Sequence, residues 1–188
     1  MKTIFRLLLA LLLPVMTVCA AEQTKPNFIF ILVDDMGWAD LACYGEPYFE
    51  TPNIDRLASQ GTRFTQAYSA CTVCSPTRAS FLTGKYPATL KVTDWIAGHQ
   101  RPHAPLLPPD WTLHLPRGEV TIAQRLKSAG YITASIGKWH LGGEEFAPET
   151  FGFDVNIAGF HKGSPPSYFS PYNIRTLKDG PDVEYITD

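Results

Sequence analysis

Apolar residues in this chain fall into short, separated blocks rather than one continuous pattern. Residues 27–33 read Asn-Phe-Ile-Phe-Ile-Leu-Val, a nearly unbroken apolar run rich in β-formers. A run of that length predicts a strand covered on both faces of a parallel sheet. It stops at Asp34-Asp35, with Gly37 just beyond. Asn53 to Gln60 predicts a short helix that Thr51 or Asn53 can cap, Pro52 can start and Gly61 can stop. Thr62 to Tyr68 is a candidate second strand. Pro76 to Leu82 predicts another helix, closed by Gly84. Pro76 suits its first turn, where the missing N–H has no intrahelical partner to lose.

Gly98 to Pro116 is rich in proline and predicts an irregular loop. Glu119 to Ala129 places Val120, Ala123, Leu126 and Ala129 at helical spacing, with Gly130 as the stop. Tyr131 to Ile136 then predicts a strand ending at Gly137. The order strand, helix, strand, helix, helix, strand predicts an α/β fold with a mostly parallel sheet flanked by helices. From Gly142 onward glycine, proline and aromatic residues dominate and periodicity is lost. There is no internal repeat.

The first twenty residues follow a different rule. Lys2 and Arg6 precede an apolar stretch from Leu7 to Leu13 that continues to Val15 and Met16, and Val18-Cys19-Ala20 supplies small residues. This pattern predicts residues 1–20 to be a signal peptide, cleaved after Ala20 or Ala21. The product is expected to be secreted or periplasmic. The apolar stretch is shorter than the roughly 20 residues that span a bilayer, so no stable membrane insertion is expected. The 188 residues suit one modest domain or a piece of a larger one. A net charge of -2 with no charge runs excludes nucleic-acid binding by bulk electrostatics. Export also makes the cysteines informative: without Cys19 the chain keeps Cys43, Cys71 and Cys74, an odd number for an oxidising compartment.

Three groups of residues carry chemistry, each at the predicted end of an element. Asp34-Asp35 follows the first strand, where open α/β sheets bind ligands. Adjacent carboxylates suit a hard cation such as Ca²⁺ or Mg²⁺, though for an isolated pair a solvated turn or a helix N-cap is the favoured account. Cys71-Thr-Val-Cys74-Ser-Pro-Thr-Arg78 can be a C-x-x-C redox pair or a disulfide. It can also be a Cys-x-Pro-x-Arg segment opening a helix, where free N–H groups favour an anion and Arg78 lies one turn on. In Gly137-Lys138-Trp139-His140-Leu141-Gly142, Lys138 and His140 alternate along an extended segment, offering a cation beside a proton-transfer group. A surface lysine beside a core histidine is the plain alternative.

Cys74-Ser-Pro-Thr-Arg78 with Thr83-Gly84 closely resembles the signature of the sulfatases, and Tyr86-Pro87 after Gly84-Lys85 also fits. Ile31-Leu-Val-Asp34-Asp35-Met-Gly resembles the metal-binding start of that family, and Gly137-Lys138-Trp139-His140-Leu141-Gly142 its second catalytic segment. All three occur in family order, over roughly residues 26 to 160. The resemblance implies an alkaline-phosphatase-like α/β fold and hydrolysis of sulfate esters, here expected to be those of carbohydrates. It implies that Cys74 is converted to formylglycine (3-oxoalanine) by a formylglycine-generating enzyme, leaving Cys43 and Cys71 as two thiols or one disulfide. It assigns Asp34, Asp35 and residue 74 to a Ca²⁺ ion, in preference to Mg²⁺, and gives Arg78, Lys138 and His140 catalytic roles.

The resemblance stops before the end of the family pattern. A second pair of metal ligands and a further Lys and His are not identifiable before Asp188. Residues 21–188 are therefore expected to be the N-terminal, truncated part of a sulfatase catalytic domain, inactive alone. The alternatives are a non-catalytic secreted fragment with the same fold, and a phosphatase or phosphodiesterase of the same superfamily. Trp95, His99, Arg101, His103 and His161 lie in irregular segments that can line a sugar subsite, or are ordinary loop residues.

Overall fold

The structure, a computed structural model, describes residues 25–46, 48–98 and 103–187. The expected signal peptide, residues 1–20, lies outside the described residues, as do His99 and Arg101. The chain divides into two units, Met1–Gly37 and Trp38–Asp188.

In the first unit, residues 25–33 form no strand, contrary to the sequence expectation for 27–33. Ile29 is 88% exposed and Ile31 75% exposed. An apolar extended segment becomes a strand only when a neighbouring backbone takes its ladder bonds. Among the described residues the sheet has two strands, and both belong to the second unit.

The second unit carries four helices among its described residues: α1 (Pro52–Gln60), α2 (Cys74–Thr83), α3 (Pro87–Leu90) and α4 (Ile122–Ser128). Its strands are β1 (Ala134–Ile136) and β2 (Val155–Ile157), paired in parallel with Ser135 opposite Asn156. Three 3-10 turns, Ala42–Tyr44, Glu144–Phe146 and Pro148–Phe151, fill the connections. This is an α/β arrangement with a small parallel sheet. The candidate strand at 62–68 is absent: the segment turns at Thr65-Gln66, and Phe64 and Tyr68 are exposed. Conversely, β2 lies where the sequence shows no periodicity, because three residues are too few to display one.

Local chemistry sets the helix limits. Thr51 precedes α1, and its hydroxyl donates to Asp55 Oδ1 at 3.0 Å while accepting the Ala42 N–H at 3.1 Å. Asp55 also accepts the Cys43 N–H at 2.9 Å, so these two side chains fasten the Ala42–Tyr44 turn to α1. α2 ends at Gly84, whose left-handed φ of 71° lets its N–H close on Ser80 O. α4 begins three residues later than the apolar spacing suggests. A capping box accounts for this: Thr121 accepts the Gln124 N–H and Gln124 accepts the Thr121 N–H, fixing the start at Ile122.

The core gathers Ala79 and Leu82 of α2 with Leu90, Val92, Leu115, Trp139, Leu141 and Phe151. Trp139 packs against Phe151 and edge-on to Phe153, each 5.9 Å away, and donates its indole N–H to Phe146 O at 2.7 Å. Burying Trp139 and Leu141 leaves residues 138 and 140 on either side of the anchor. Gly152 has φ 96°, and a Cβ there would meet the Gln124 backbone nitrogen at 2.7 Å. That close approach seats the start of α4 against the Pro148–Phe151 turn, where the Thr121 hydroxyl donates to Phe151 O at 2.6 Å.

A polar knot closes the sheet end. Asp154 accepts from the Thr133 N–H at 2.9 Å and its hydroxyl at 3.0 Å, and pairs with Lys127 at 2.6 Å. The Lys127 hydrogen bond, and then those of Thr133, lower the Asp154 pKa from 3.8 to about 2. Between these values the unfolded chain binds a proton that the folded chain does not. The stabilisation from this carboxylate is therefore complete above about pH 4 and is lost as the pH falls through about 2. Urea midpoints at about pH 5 and about pH 2.5 should differ less for Asp154→Asn than for the wild type. Equal acid sensitivity of the two proteins would show that this knot contributes nothing.

Candidate active site

α2 places Cys74 at its first position. The preceding Val73 is extended and offers no side-chain cap, so no side chain competes for the amide end of the helix. Backbone N–H groups there favour negative charge, and the helix dipole adds to this. Thr77 holds the approach to the helix, donating to Cys71 O and Val73 O at 2.8 and 2.9 Å. Cys74 itself is half-buried, and Cys43, Cys71 and Cys74 are all free thiols. The C-x-x-C spacing therefore does not produce a bond in this structure.

Three side chains of α2 grip the segment that follows β1. Cys74 Sγ lies 3.3 Å from His140 Nδ1. The Ser75 hydroxyl, fully buried, donates to His140 O at 2.9 Å and accepts the Ile96 N–H at 3.1 Å. Arg78, also buried, donates to the backbone carbonyl of Lys138. Residues 60 to 66 positions apart in sequence thereby meet at one helix end.

His140 is 3% exposed and has a left-handed φ of 57°. The alternation expected of an extended 138–140 segment therefore breaks at His140. Its backbone N–H donates to Phe160 O at 3.1 Å, and its ring Nε2 bonds the carbonyl of Ile96. A carbonyl accepts only, so Nε2 must carry a proton. In the neutral ring this makes Nδ1 the acceptor, facing the sulfur of Cys74. A Cβ at Gly163 would lie 2.7 Å from His140 Cε1, so the loop at 163 closes over the imidazole. Lys138 is half-buried.

The structure thus brings together the side chains of Cys74, Arg78 and His140 and the backbone carbonyl of Lys138. Asp34 and Asp35 belong to the first unit, where they form an exposed turn with Asp35 at φ 57°. Two carboxylates are the donors a hard cation prefers, but Ca²⁺ takes six to eight oxygens. Among the described residues no group of three or more His, Cys, Asp or Glu could hold a metal. The pair fits part of a shell. Ser75 and Ile96, by contrast, are site residues that sequence patterns do not reveal. Ser75 lies inside the Cys-x-Pro-x-Arg segment, but its partners 21 and 65 residues away leave no local signal. Of the other candidates, Trp95 lies 6.4 Å from the His140 ring, while His103 and His161 are exposed.

The sulfatase family profile matches residues 26–177. This chain belongs to the sulfatase family. It is 39% identical to N-acetylgalactosamine-6-sulfatase of Canis lupus familiaris over 178 residues, 94% of the chain and 32% of that protein. It is 42% identical to steryl-sulfatase of Rattus norvegicus over 177 residues, covering 92% of the chain and 29% of that protein. The chain thus spans about a third of these curated relatives. Among solved structures, Ps i-CgsB superposes with a TM-score of 0.69 at 31% identity, covering 88% of this chain and 39% of that one. BT4656 in complex with its substrate D-glucosamine-2-N,6-O-disulfate gives 0.60 at 32% identity, covering 78% of this chain and 25% of that one.

The contact between α2 and the 138–140 segment has a measurable energetic consequence. Ser75→Ala removes one donor and one acceptor and leaves the Ile96 N–H and His140 carbonyl without that partner. A stability loss of about 1–3 kcal/mol is expected in denaturant unfolding. A variant as stable as the wild type would show that Ser75 does not hold the site together.

Proposed function

We propose that this sulfatase-family chain carries the nucleophile-bearing part of a sulfuric ester hydrolase acting on sulfated carbohydrates. The observation that carries the reading is the placement of His140 Nδ1 3.3 Å from the side chain of residue 74 at a helix N-terminus. Formylglycine at residue 74, made from Cys74 by a formylglycine-generating enzyme, supplies a hydrated aldehyde that accepts the sulfuryl group and later releases it. Asp34 and Asp35 would supply two carboxylates to a Ca²⁺ ion, which would offer a Lewis acid for the sulfate oxygens.

The remaining chemistry belongs to this chain's side chains. The ring of His140 is held in one orientation, because Ile96 O engages Nε2–H and leaves Nδ1 as the basic site facing residue 74. It takes a proton from the hydroxyl of residue 74 as the sulfate leaves, the role of a positioned general base. Arg78 brings a buried, permanent cation one turn along α2, stabilising negative charge that develops at residue 74. Lys138, held through its own carbonyl by Arg78, offers a second cation for the sulfate. Carbohydrate is the preferred substrate class because the N-acetylgalactosamine-6-sulfatases and the glucosamine-disulfate complex are among the similar proteins. The steryl-sulfatases keep a steroid ester as the second reading.

Export through a cleaved signal peptide at 1–20 is part of this proposal, and no helix among the described residues is long and apolar enough to cross a membrane. Mass spectrometry of the peptide containing residue 74, after co-expression with a formylglycine-generating enzyme, should show a loss of about 18 Da from the thiol form, the Cys-to-aldehyde change. Cys74→Ala should abolish sulfate-ester turnover by the full-length protein. Full activity in that variant would overturn the assignment, and an unmodified thiol would favour a non-catalytic role.

A further inference from the structure

A cleft of about 290 Å³, lined by Trp139, opens between residues 142–147 and residues 159–176. Its size lies near the lower end of small-molecule sites, which suits one sugar ring. Lys162 and Arg175 line it together with Asn173 and Thr176, and Glu144 is the one carboxylate among the lining residues. Two cationic side chains, with the imidazole of His161 also on the lining, against one acid make it a site for negative charge. Arg175 is paired with Glu144 only loosely, at 3.5 Å, with side chains 72% and 82% exposed. Such a surface pair contributes little and yields readily to a better acceptor.

The cleft is firmly joined to the segment that carries His140. Trp139, which lines it, is the residue before His140, and Phe160 on its opposite wall accepts the His140 N–H at 3.1 Å. That wall is braced at its base. Asn156 donates to Gly159 O at 3.1 Å and accepts the Gly159 N–H at 3.0 Å, while the Ala158 N–H reaches Thr176 O at 3.3 Å. A Cβ at Gly159 would lie 2.3 Å from Asn156 Oδ1, so the wall packs too tightly there for a larger residue. The cations therefore project from a preformed frame rather than from a loose loop.

We propose that this cleft binds a second anionic group of the substrate, a sulfate or carboxylate on the sugar next to the one being desulfated. The inference rests on the sulfatase reading and narrows it: the substrate is a saccharide with at least two negative groups. Lys162 and Arg175 bind the second group, and Glu144 competes with it for Arg175.

Calorimetric titration of the full-length protein carrying Cys74→Ala tests this without turnover. The probes are a monosulfated disaccharide, its disulfated counterpart, and one bearing a sulfate and a carboxylate. The parent should bind the doubly charged probes about tenfold more tightly, the value of one charge-assisted hydrogen bond. Lys162→Ala with Arg175→Ala should bring that ratio close to one, and Glu144→Gln should raise it. The third probe shows whether sulfate or carboxylate is preferred. A ratio unchanged by the double substitution, or no discrimination by the parent, overturns the proposal. Failure of the matured wild-type enzyme to hydrolyse any sulfate ester would instead sink the sulfatase reading, and is scored on turnover alone.

Discussion

The site depends on a single buried hydroxyl. Ser75 lies at 0% exposure and bridges the carbonyl of His140 and the amide of Ile96. Through it, the first turn of α2 fixes the backbone of the segment that carries the imidazole. Inside a protein an unmatched polar group costs more than a matched one gains, so each of these three groups requires the other two. The Arg78 bond to Lys138 O and the Cys74–His140 contact add to the same join. Loss of the serine would loosen the histidine before it loosened the helix.

Around this join the core does a simpler job. Trp139 and Leu141 are buried, and the residues between and beside them take the positions that remain. The left-handed φ of His140 is tolerated because the chain is pinned on both sides: the indole N–H of Trp139 holds Phe146 O, and Leu115 N–H holds Leu141 O at 2.9 Å. Burial and backbone bonding together force an unusual conformation on a non-glycine residue, the usual setting for a functional side chain. The chain spans about a third of the length of these curated relatives, and the frame described here lies within that span.

Much of this was legible in the sequence, for reasons that differ by element. α1 and α2 announced themselves through Pro52, Gly61, Pro76 and Gly84, because caps and stops are local and act on the backbone directly. The three motifs carried the family, since Cys-x-Pro-x-Arg, Asp-Asp and Gly-Lys-Trp-His keep their order. The strand expected at 27–33 did not form, because apolar content predicts burial but cannot supply a neighbouring backbone. β2 was invisible, being three residues long in a stretch without periodicity. The roles of Ser75 and Ile96 were hidden for a third reason: a bond between residues 21 or 65 apart leaves no trace in spacing. Local rules were readable and long-range polar bonds were not.

The long reach of those bonds has a consequence in time as well as in space. His140 emerges from the ribosome 66 residues after Cys74. At synthesis rates of roughly 5–20 residues per second, that interval is between about 3 and about 13 s. Until the imidazole and its carbonyl arrive, Cys74 and Ser75 lack the His140 side of the join, and Arg78 lacks the carbonyl of Lys138. Any enzyme that must reach the thiol in an open chain has this interval before the fold shuts it in. The separation between two motifs in the sequence is thereby also a clock for their chemistry.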